Sequence, residues 1–394
     1  MREYGAPQLS RRLVYLSLIF AWPGVATRAA ESPSWAAGPH AVEPLTVAEE
    51  HDPAAAEIAR RFNPAMALPD SDGPWPVSVQ YTWGGGADLQ SRTVAGDGAV
   101  VRTDKAVANA DLDRKPWGDL PDHDARGNRI EYWIDGPGDD HMRDGQSDWR
   151  RRWHETAAKA PTQYAHVFWL DRARGQLVVQ YWFYYPFNEW INHHEGDWEH
   201  INVVLEGPPG LGRASQYRAV GYEYYFHEYR LETDRPVRAE DRGRPGDARQ
   251  DHPMVFVGGR GSALWWSGTQ SGGSYPWPAA YPGAGGGVGP FGVADDTRAP
   301  ARILEPERFD IVMLPEAGRL DTRAHPELSW LRLPFFAGQP HVFGNPPLVD
   351  RFGGGKPPRQ PARRREWNAI GSRPLWAGTA VRDAEQPVFA RAGD

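Results

Sequence analysis

Residues Gln176 to Glu206 read QLVVQYWFYYPFNEWINHHEGDWEHINVVLE, and this stretch decides the fold. Leu177 to Tyr185 is dense in Val, Tyr, Trp and Phe, the residue types that suit a pleated, half-buried surface. Glu199 to Leu205 reads as the returning strand. Between them lies a short polar crossing, His193-His194-Glu195-Gly196-Asp197-Trp198-Glu199-His200. Side chains two apart on a strand share a face. Asp197 and Glu199 therefore look the same way as Ile201, Val203 and Leu205, and those three apolar residues mark the face as core-directed.

Two carboxylates at the mouth of a core-facing row need compensation. Burying charge is costly, and two like charges at close range raise each other's pKa. A bound cation, an arginine or a proton would each supply the compensation. Hard cations such as Ca²⁺ and Mg²⁺ take oxygen ligands, and Asn188, His194 and Glu195 are near enough in sequence to complete a site with Asp197 and Glu199. Zinc fits less well: it wants three or four closely placed ligands, whereas neighbouring strand residues point opposite ways. The bland alternative is a solvated hairpin end. The aromatic density on both sides favours a site.

Working outward, Tyr164 to Leu170 (YAHVFWL), Asp171 to Gly175 and Gln176 to Tyr185 form a β-hairpin pattern with a Gly-closed turn. Tyr217 to Leu231 and His252 to Ala263 add further strands, and FDIVML within Arg302 to Leu314 adds another. Val47 to Phe62 is the helical pattern, with Asp52 as cap ahead of Pro53 and with Ala54, Ile58 and Phe62 on one face. The fold class expected is mainly β, an antiparallel β-sandwich with long Gly/Pro-rich loops and a few short helices. Composition agrees: among 394 residues there are 43 Gly, 37 Pro and 18 Trp. No cysteine is present, so no disulfide and no thiol chemistry are available. The net charge of −7 gives no electrostatic footprint for nucleic acid. Lysine is confined to Lys105, Lys115, Lys159 and Lys356 among many arginines, which fits a bacterial source of high GC content.

At the N-terminus, Arg11-Arg12 precede the apolar run Leu13 to Trp22, which Pro23-Gly24 breaks, and cleavage would fall near Ala29 or Ala30. The run is too short to span a bilayer comfortably. Ser10-Arg11-Arg12 fits twin-arginine export, with general export as the alternative. Residues 1–30 are thus expected to be an export signal and 31–45 a linker. Residues 46–385 would be one β-sandwich domain, with loop insertions near 111–160, 235–251, 264–300 and 353–366. The mature protein is expected to be secreted or periplasmic, without a transmembrane span. Asp135 to Gly145 invites a calcium-loop reading, but Met142 occupies a ligand position and Arg151 stands where the bidentate Glu belongs, so a solvated loop is expected. Aromatic residues on the Gly-rich stretch Leu264 to Pro290 suit sugar stacking or a membrane interface, with packing on the sheet as the ordinary alternative. No phosphate loop, Gly-x-Ser-x-Gly elbow or internal repeat is present.

The segment YWFYYPFNEW…HHEGDWEHINVVLEG resembles the central motif of the family named after vacuolar protein sorting-associated protein sixty-two, with its Tyr-Pro-x-Asn strand end and its His-x-Gly-Asp-Trp-Glu. More distantly it is similar to the necrosis- and ethylene-inducing-like proteins, secreted β-sandwich cytolysins with a Gly-His-x-His-Asp-Trp-Glu heptapeptide. The second resemblance implies that His194, Asp197 and Glu199 surround a divalent cation. Asn188 stands near the position of that family's upstream Asp, at shorter spacing. Gly196 replaces the heptapeptide's second His, a departure that bears on cytolysis more than on the metal. The first resemblance also covers His252-Pro253-Met254-Val255, with Ala263 where that family has a His, and it implies a His near His227. A structural histidine within the sheet is an equal reading for His227.

The metal set expected is His194, Asp197, Glu199 and Asn188, holding Ca²⁺ or Mg²⁺. Glu195, His200, His227, Trp182 and Trp198 are candidates for contact with a ligand. The function expected is a divalent-cation-binding protein that recognises a surface glycan or lipid headgroup. One alternative is a metal-dependent hydrolase of glycan or ester bonds using the same cluster, with His194 or His200 as proton donor. Glycosidase carboxyls usually stand about 5–9.5 Å apart across the bond, and acids two apart on one strand suit shared ligation better. The other alternative is a structural motif without metal, the acids paired with arginines.

Overall fold

The computed structural model describes residues 42–69, 74–83, 87–96, 100–107, 120–136, 152, 154–188, 194–237, 252–259, 262–263, 266–267, 270–282, 294–298, 300–338 and 357–376. The segment expected to be an export signal, most of the expected linker, the run from 137 to 145, the charged segment 238–251 and residues 339–356 lie outside that set.

Strand β1 (Glu43–Pro44), helices α1 (Val47–Glu50) and α2 (Pro53–Arg61), β2 (Ala65–Leu68), α3 (Gln80–Trp83), β3 (Asp88–Val94), β4 (Val100–Val107) and β5 (Arg129–Asp135) come first. The central run is β6 (Thr162–Asp171), β7 (Gln176–Asn188), β8 (His194–Glu206), β9 (Arg218–Phe226) and β10 (Tyr229–Thr233). After it come β11 (Met254–Gly259), β12 (Ser262–Ala263), β13 (Trp266–Ser267), β14 (Gln270–Tyr275), β15 (Ala280–Pro282), β16 (Ala294–Asp296), β17 (Arg302–Leu304), β18 (Asp310–Leu314) and β19 (Phe335–Phe336).

The main sheet runs β1-β6-β7-β8-β9-β10, and β18 pairs with the free length of β6. A second sheet, β14-β11-β2-β17, packs over β7, β8 and β9 through β14. A third, β19-β5-β3-β4, stands at the end of the molecule where Glu195 emerges. The fold is mainly β and its sheets stack as a sandwich. Three of the pairings, β2 with β11, β6 with β18 and β5 with β19, are parallel. Segments expected as loop insertions also hold strands: β5 lies within 111–160, and β14 to β16 lie within 264–300.

The parity drawn from the sequence holds. β7 and β8 pair in one register from Gln176↔Glu206 to Asn188↔His194. Leu177, Val179, Tyr181 and Phe183 of β7, with Ile201, Val203 and Leu205 of β8, enter one core with Met66, Leu68, Val255 and Val257 of the second sheet. The opposite face of the main sheet is polar at its centre. Gln180, Asn202 and Glu223 line up across β7, β8 and β9, fully buried. Burying such groups is tolerable only with partners, and residues 357–376 supply them as a strap laid across this face. Gln180 Nε2 donates to Glu366 O (2.9 Å), Asn202 Nδ2 to Ala369 O (3.1 Å), and the Gly371 amide to Glu223 Oε1 (2.7 Å).

The helical pattern of Val47 to Phe62 is split in two. Asp52 is extended (φ −73°, ψ 125°) because the following Pro53 disfavours helical backbone before it. Asp52 then caps α2 by accepting from the Ala54 amide (2.9 Å). The buried face of α2 is Ala55, Ile58 and Ala59, with Phe62 at its end; Ala54 is half-exposed.

Candidate functional site

Asp197 and Glu199 lie on β8 opposite Tyr185 and Phe183 of β7, at the mouth of the core face. Both side chains are buried, although they head a row that runs into Ile201 and Val203. Gly196 just before them has φ +61°, a backbone region open to glycine. A Cβ there would stand 2.0 Å from Ala337 O, so the close approach of residues 337–338 also demands glycine. This turn lets His194 reach the Asp197 side of the strand. His194 Nε2 is 3.0 Å from Asn188 Nδ2, which in turn lies 3.4 Å from Asp197 Oδ2. His194 Nδ1 faces the carbonyls of Glu195 and Gly196 (3.2 and 3.1 Å). From the second sheet, Gly272 of β14 (φ +75°) closes over the acids; a Cβ on it would sit 3.1 Å from Asp197 Oδ2.

The electrostatics follow from burial. Glu199 is pushed up from 4.5 to about 8, first by desolvation and then by the Asp197 charge, with Arg373 and Arg364 pulling the other way. Asp197 is raised by desolvation, offset by His194, by Arg364 and by the Trp198 amide, which donates to its Oδ1 (2.8 Å). Glu199 Oε2, Asn188 Oδ1 and the Tyr185 hydroxyl are buried without a hydrogen-bond partner. Burial, then the charges of Glu199 and Asp197, drive the Tyr185 hydroxyl well above its ordinary value.

His227 stands at the rim. It occupies the first position of the two-residue β9–β10 hairpin loop with φ +48°. Its Nε2 lies 2.9 Å from Asp295 Oδ2 of β16, and the Tyr275 hydroxyl donates to that same oxygen. Desolvation opposes its protonation, but the Asp295 charge and hydrogen bond outweigh it and the imidazole is raised above its ordinary value.

The structure thus gathers Asn188, His194, Asp197 and Glu199, with His227 beside them. It sends the other sequence candidates elsewhere. Glu195 turns to the third sheet, where its Oε2 accepts from the Gly136 amide (2.8 Å). Trp198 is in the core, stacked on Trp330 (5.4 Å between centroids), its Nε1 donating to Gln360 Oε1 (3.0 Å). Trp182 and His200 belong to the strap face, stacked on each other at 4.2 Å, with Tyr225 on the far side of His200 at 4.0 Å. All three of Trp182, Trp198 and His200 are fully buried. Tyr185, Gly272, Asp295, Arg364 and Arg373 had no signal in the sequence reading as site residues. Tyr185 alone could have been found, by counting back along the hairpin from Asp197.

Among the described residues no group of three or more His, Cys, Asp and Glu side chains is gathered as a metal cluster. The oxygens that could receive a hard cation are those of Asp197, Glu199 and the amide of Asn188. A half-turn of that amide exchanges its Nδ2 for Oδ1 beside Asp197. Unpartnered Glu199 Oε2 and Asn188 Oδ1 are the atoms that such an ion would satisfy.

A mainly β sandwich with a buried acid pair at the mouth of its core is the class these features define. No family model matches the chain, and no curated protein does. Among solved structures it is similar to NLPPya in complex with glucosamine, at 16% identity over 60% of this chain and 77% of that one, TM-score 0.24. It is also similar to necrosis and ethylene inducing protein 2 from the causal agent of cocoa's witches' broom disease, at 14% identity over 50% and 59%, TM-score 0.23. A third, the non-toxic HaNLP3 protein, shares 12% identity over 59% and 76%, TM-score 0.25. The solved neighbours share the necrosis- and ethylene-inducing toxin fold at low identity.

Proposed function

We propose that the protein is an exported, divalent-cation-binding β-sandwich protein that recognises a surface glycan or lipid headgroup at the Asn188–Asp197–Glu199 site. One observation carries the reading: two buried carboxylates share a core-facing row, and Glu199 Oε2 and Asn188 Oδ1 beside them have no partner. The strap arginines spend their short contacts on Glu366 and on backbone carbonyls, and act on the acids only at longer range. That weighs against the acids being one half of a structural arginine network. When bound, a Ca²⁺ or Mg²⁺ ion would neutralise the pair and offer its remaining positions to ligand hydroxyls or an anionic group. His194 would hold the Asn188 amide, Tyr185 would wall the acids from water, and His227 would face the ligand from the rim.

The resemblance to the family named after vacuolar protein sorting-associated protein sixty-two rests on the quoted motifs alone, and no family model supports it. Export rests on residues 11–30. No described helix is long and apolar enough to cross a membrane.

The test is metal analysis and thermal melting of the mature protein, with and without chelator, beside Asp197→Asn. A stoichiometric divalent ion, and a transition lowered by both chelator and substitution, support the reading. Absence of metal with no effect of chelator sinks it. Glycan and lipid arrays in Ca²⁺ and in chelator then identify the ligand class. A second reading, a hydrolase, draws on the Glu199 carboxyl being pushed up to about 8, where it holds a proton for general acid catalysis near neutral pH. Turnover with a bell-shaped pH profile would favour it; binding without turnover excludes it.

A further inference from the structure

The β8–β9 ladder ends at the Ile201↔Tyr224 pair. Beyond it, toward Asp197 on one strand and His227 on the other, no strand pairing among the described residues sets how far apart the two sides of the site stand. Main-chain pairing is what normally fixes such a distance in a sheet.

The strap carries a buried ionic triad under this gap. Arg364 Nη1 donates to Trp198 O (2.5 Å), the carbonyl between the two acids. Arg373 Nη1 donates to His227 O. Both guanidiniums meet Glu366: Arg373 Nε is 2.7 Å from its Oε1 and Arg364 Nε is 3.4 Å from its Oε2. Stacking holds both arginines as well. Arg364 lies over Trp182 (5.3 Å), Arg373 over Tyr225 (5.8 Å), and His200 is sandwiched between those two rings. Side chains of the triad are 4–10% exposed, so each charge is held in fixed geometry away from water.

We propose that Arg364, Glu366 and Arg373 form a clamp that spans the open end of the β8–β9 ladder and sets the position of His227 relative to the Asp197–Glu199 pair. A buried Arg–Glu–Arg triad is a poor source of stability, because desolvation cancels most of the attraction. Its worth here is geometric: planar guanidiniums donate in fixed directions, to one carbonyl on each side of the gap. His227 needs such a hold. Its left-handed backbone is unfavourable for a residue with a Cβ, and without restraint the hairpin would relax. All three clamp residues are positioning residues; none touches the acids directly.

The inference rests on the acidic site being the binding site, so the test reads the two separately. Tb³⁺ is titrated as a hard-cation probe into wild type, Arg364→Gln and Arg373→Gln, and the ring signals of His227 are followed by NMR in the metal-free and Tb³⁺-loaded proteins. Arg92→Gln, which breaks the remote pair with Glu131 (2.7 Å) in the third sheet, controls for general destabilisation. Expected is a change of about tenfold in Tb³⁺ affinity for Arg364→Gln, whose tether ends on the carbonyl between the two acids, and none for Arg92→Gln. The His227 ring signals should also broaden or shift in the metal-free strap variants. Unchanged His227 signals in both strap variants overturn the clamp. Wild type that binds no Tb³⁺, with His227 still displaced by the strap variants, upholds the clamp and rejects the cation reading instead.

Discussion

At the scale of single residues, Glu199 makes a pH-dependent contribution beside those of Asp197 and His227, which are also raised. In the folded chain the Glu199 carboxyl is pushed up from 4.5 to about 8. Between those values the folded protein holds a proton that the unfolded chain has released. The stability this supplies is full below about pH 4.5 and is lost as pH rises through about 8. In chelator, melting or urea midpoints should therefore fall between pH 5.5 and 8.5. Glu199→Gln should flatten that slope and raise stability at the alkaline end by on the order of 2–4 kcal/mol. In Ca²⁺ the same substitution should remove the gain the ion gives. A wild-type midpoint independent of pH in chelator would contradict the buried-acid account. Gly196 makes a second prediction. With φ +61° and Ala337 O only 2.0 Å from a built Cβ, Gly196→Ala should cost more than about 3 kcal/mol, read as a lowered denaturation midpoint.

At the scale of elements, the strap is bound by polar groups that the main sheet cannot satisfy alone. Asn202 is the hub: its Nδ2 reaches Glu223 Oε2 (2.8 Å) and Ala369 O (3.1 Å), and its Oδ1 accepts from Gln180 (2.9 Å). Asn202→Ala would remove all three bonds from a dry interface, where Gln180 keeps Glu366 O and Glu223 keeps Tyr225 but Ala369 O loses this donor, at a cost of about 2–4 kcal/mol. Amide exchange should then quicken in residues 366–373 before it quickens in β7 or β8. Equal protection of the strap in both proteins would show that these contacts do not hold it. Asn202 also marks where sequence reading fell short. Alternation along β8 says that Asn202 and His200 face away from the core, which ordinarily means solvent. A strap drawn from residues more than 150 positions later covers them, and no local pattern announces it. The central hairpin, by contrast, was legible in outline from period-two alternation, although its strands run further than that pattern gave: β7 continues to Asn188, and β8 begins at His194, within what read as a polar crossing.

For the whole molecule, the main apolar core takes side chains from the three larger sheets: Met66 and Val255 from the second, Leu89 and Ile134 from the third, and Tyr181 and Val203 from the main sheet. A shared core couples the sheets, so unfolding should be a single transition, with tryptophan fluorescence and far-ultraviolet dichroism coincident. Ca²⁺ at the acid pair should shift that whole transition rather than split it. Separate transitions would mean that the third sheet unfolds on its own.

Sequence alone determined the β class, the central hairpin and the face shared by Asp197 and Glu199, and it singled out Asn188 and His194, which the structure brings beside Asp197. Each of these follows from strand periodicity and from the cost of burying charge, which act within a few residues. Only the tertiary structure decided what surrounds the acid pair. The left-handed turn at Gly196 brought His194 round to Asp197, while Glu195 turned away to Gly136. Gly272 and Asp295 arrived from segments that read as loops, and Arg364 and Arg373 from a strap near the C-terminus. The three parallel pairings were equally hidden, since each joins stretches far apart in the chain. Such contacts are selected by the shape of the packed core and by the partners that buried polar groups require, and neither is written in the local pattern of the strands they meet.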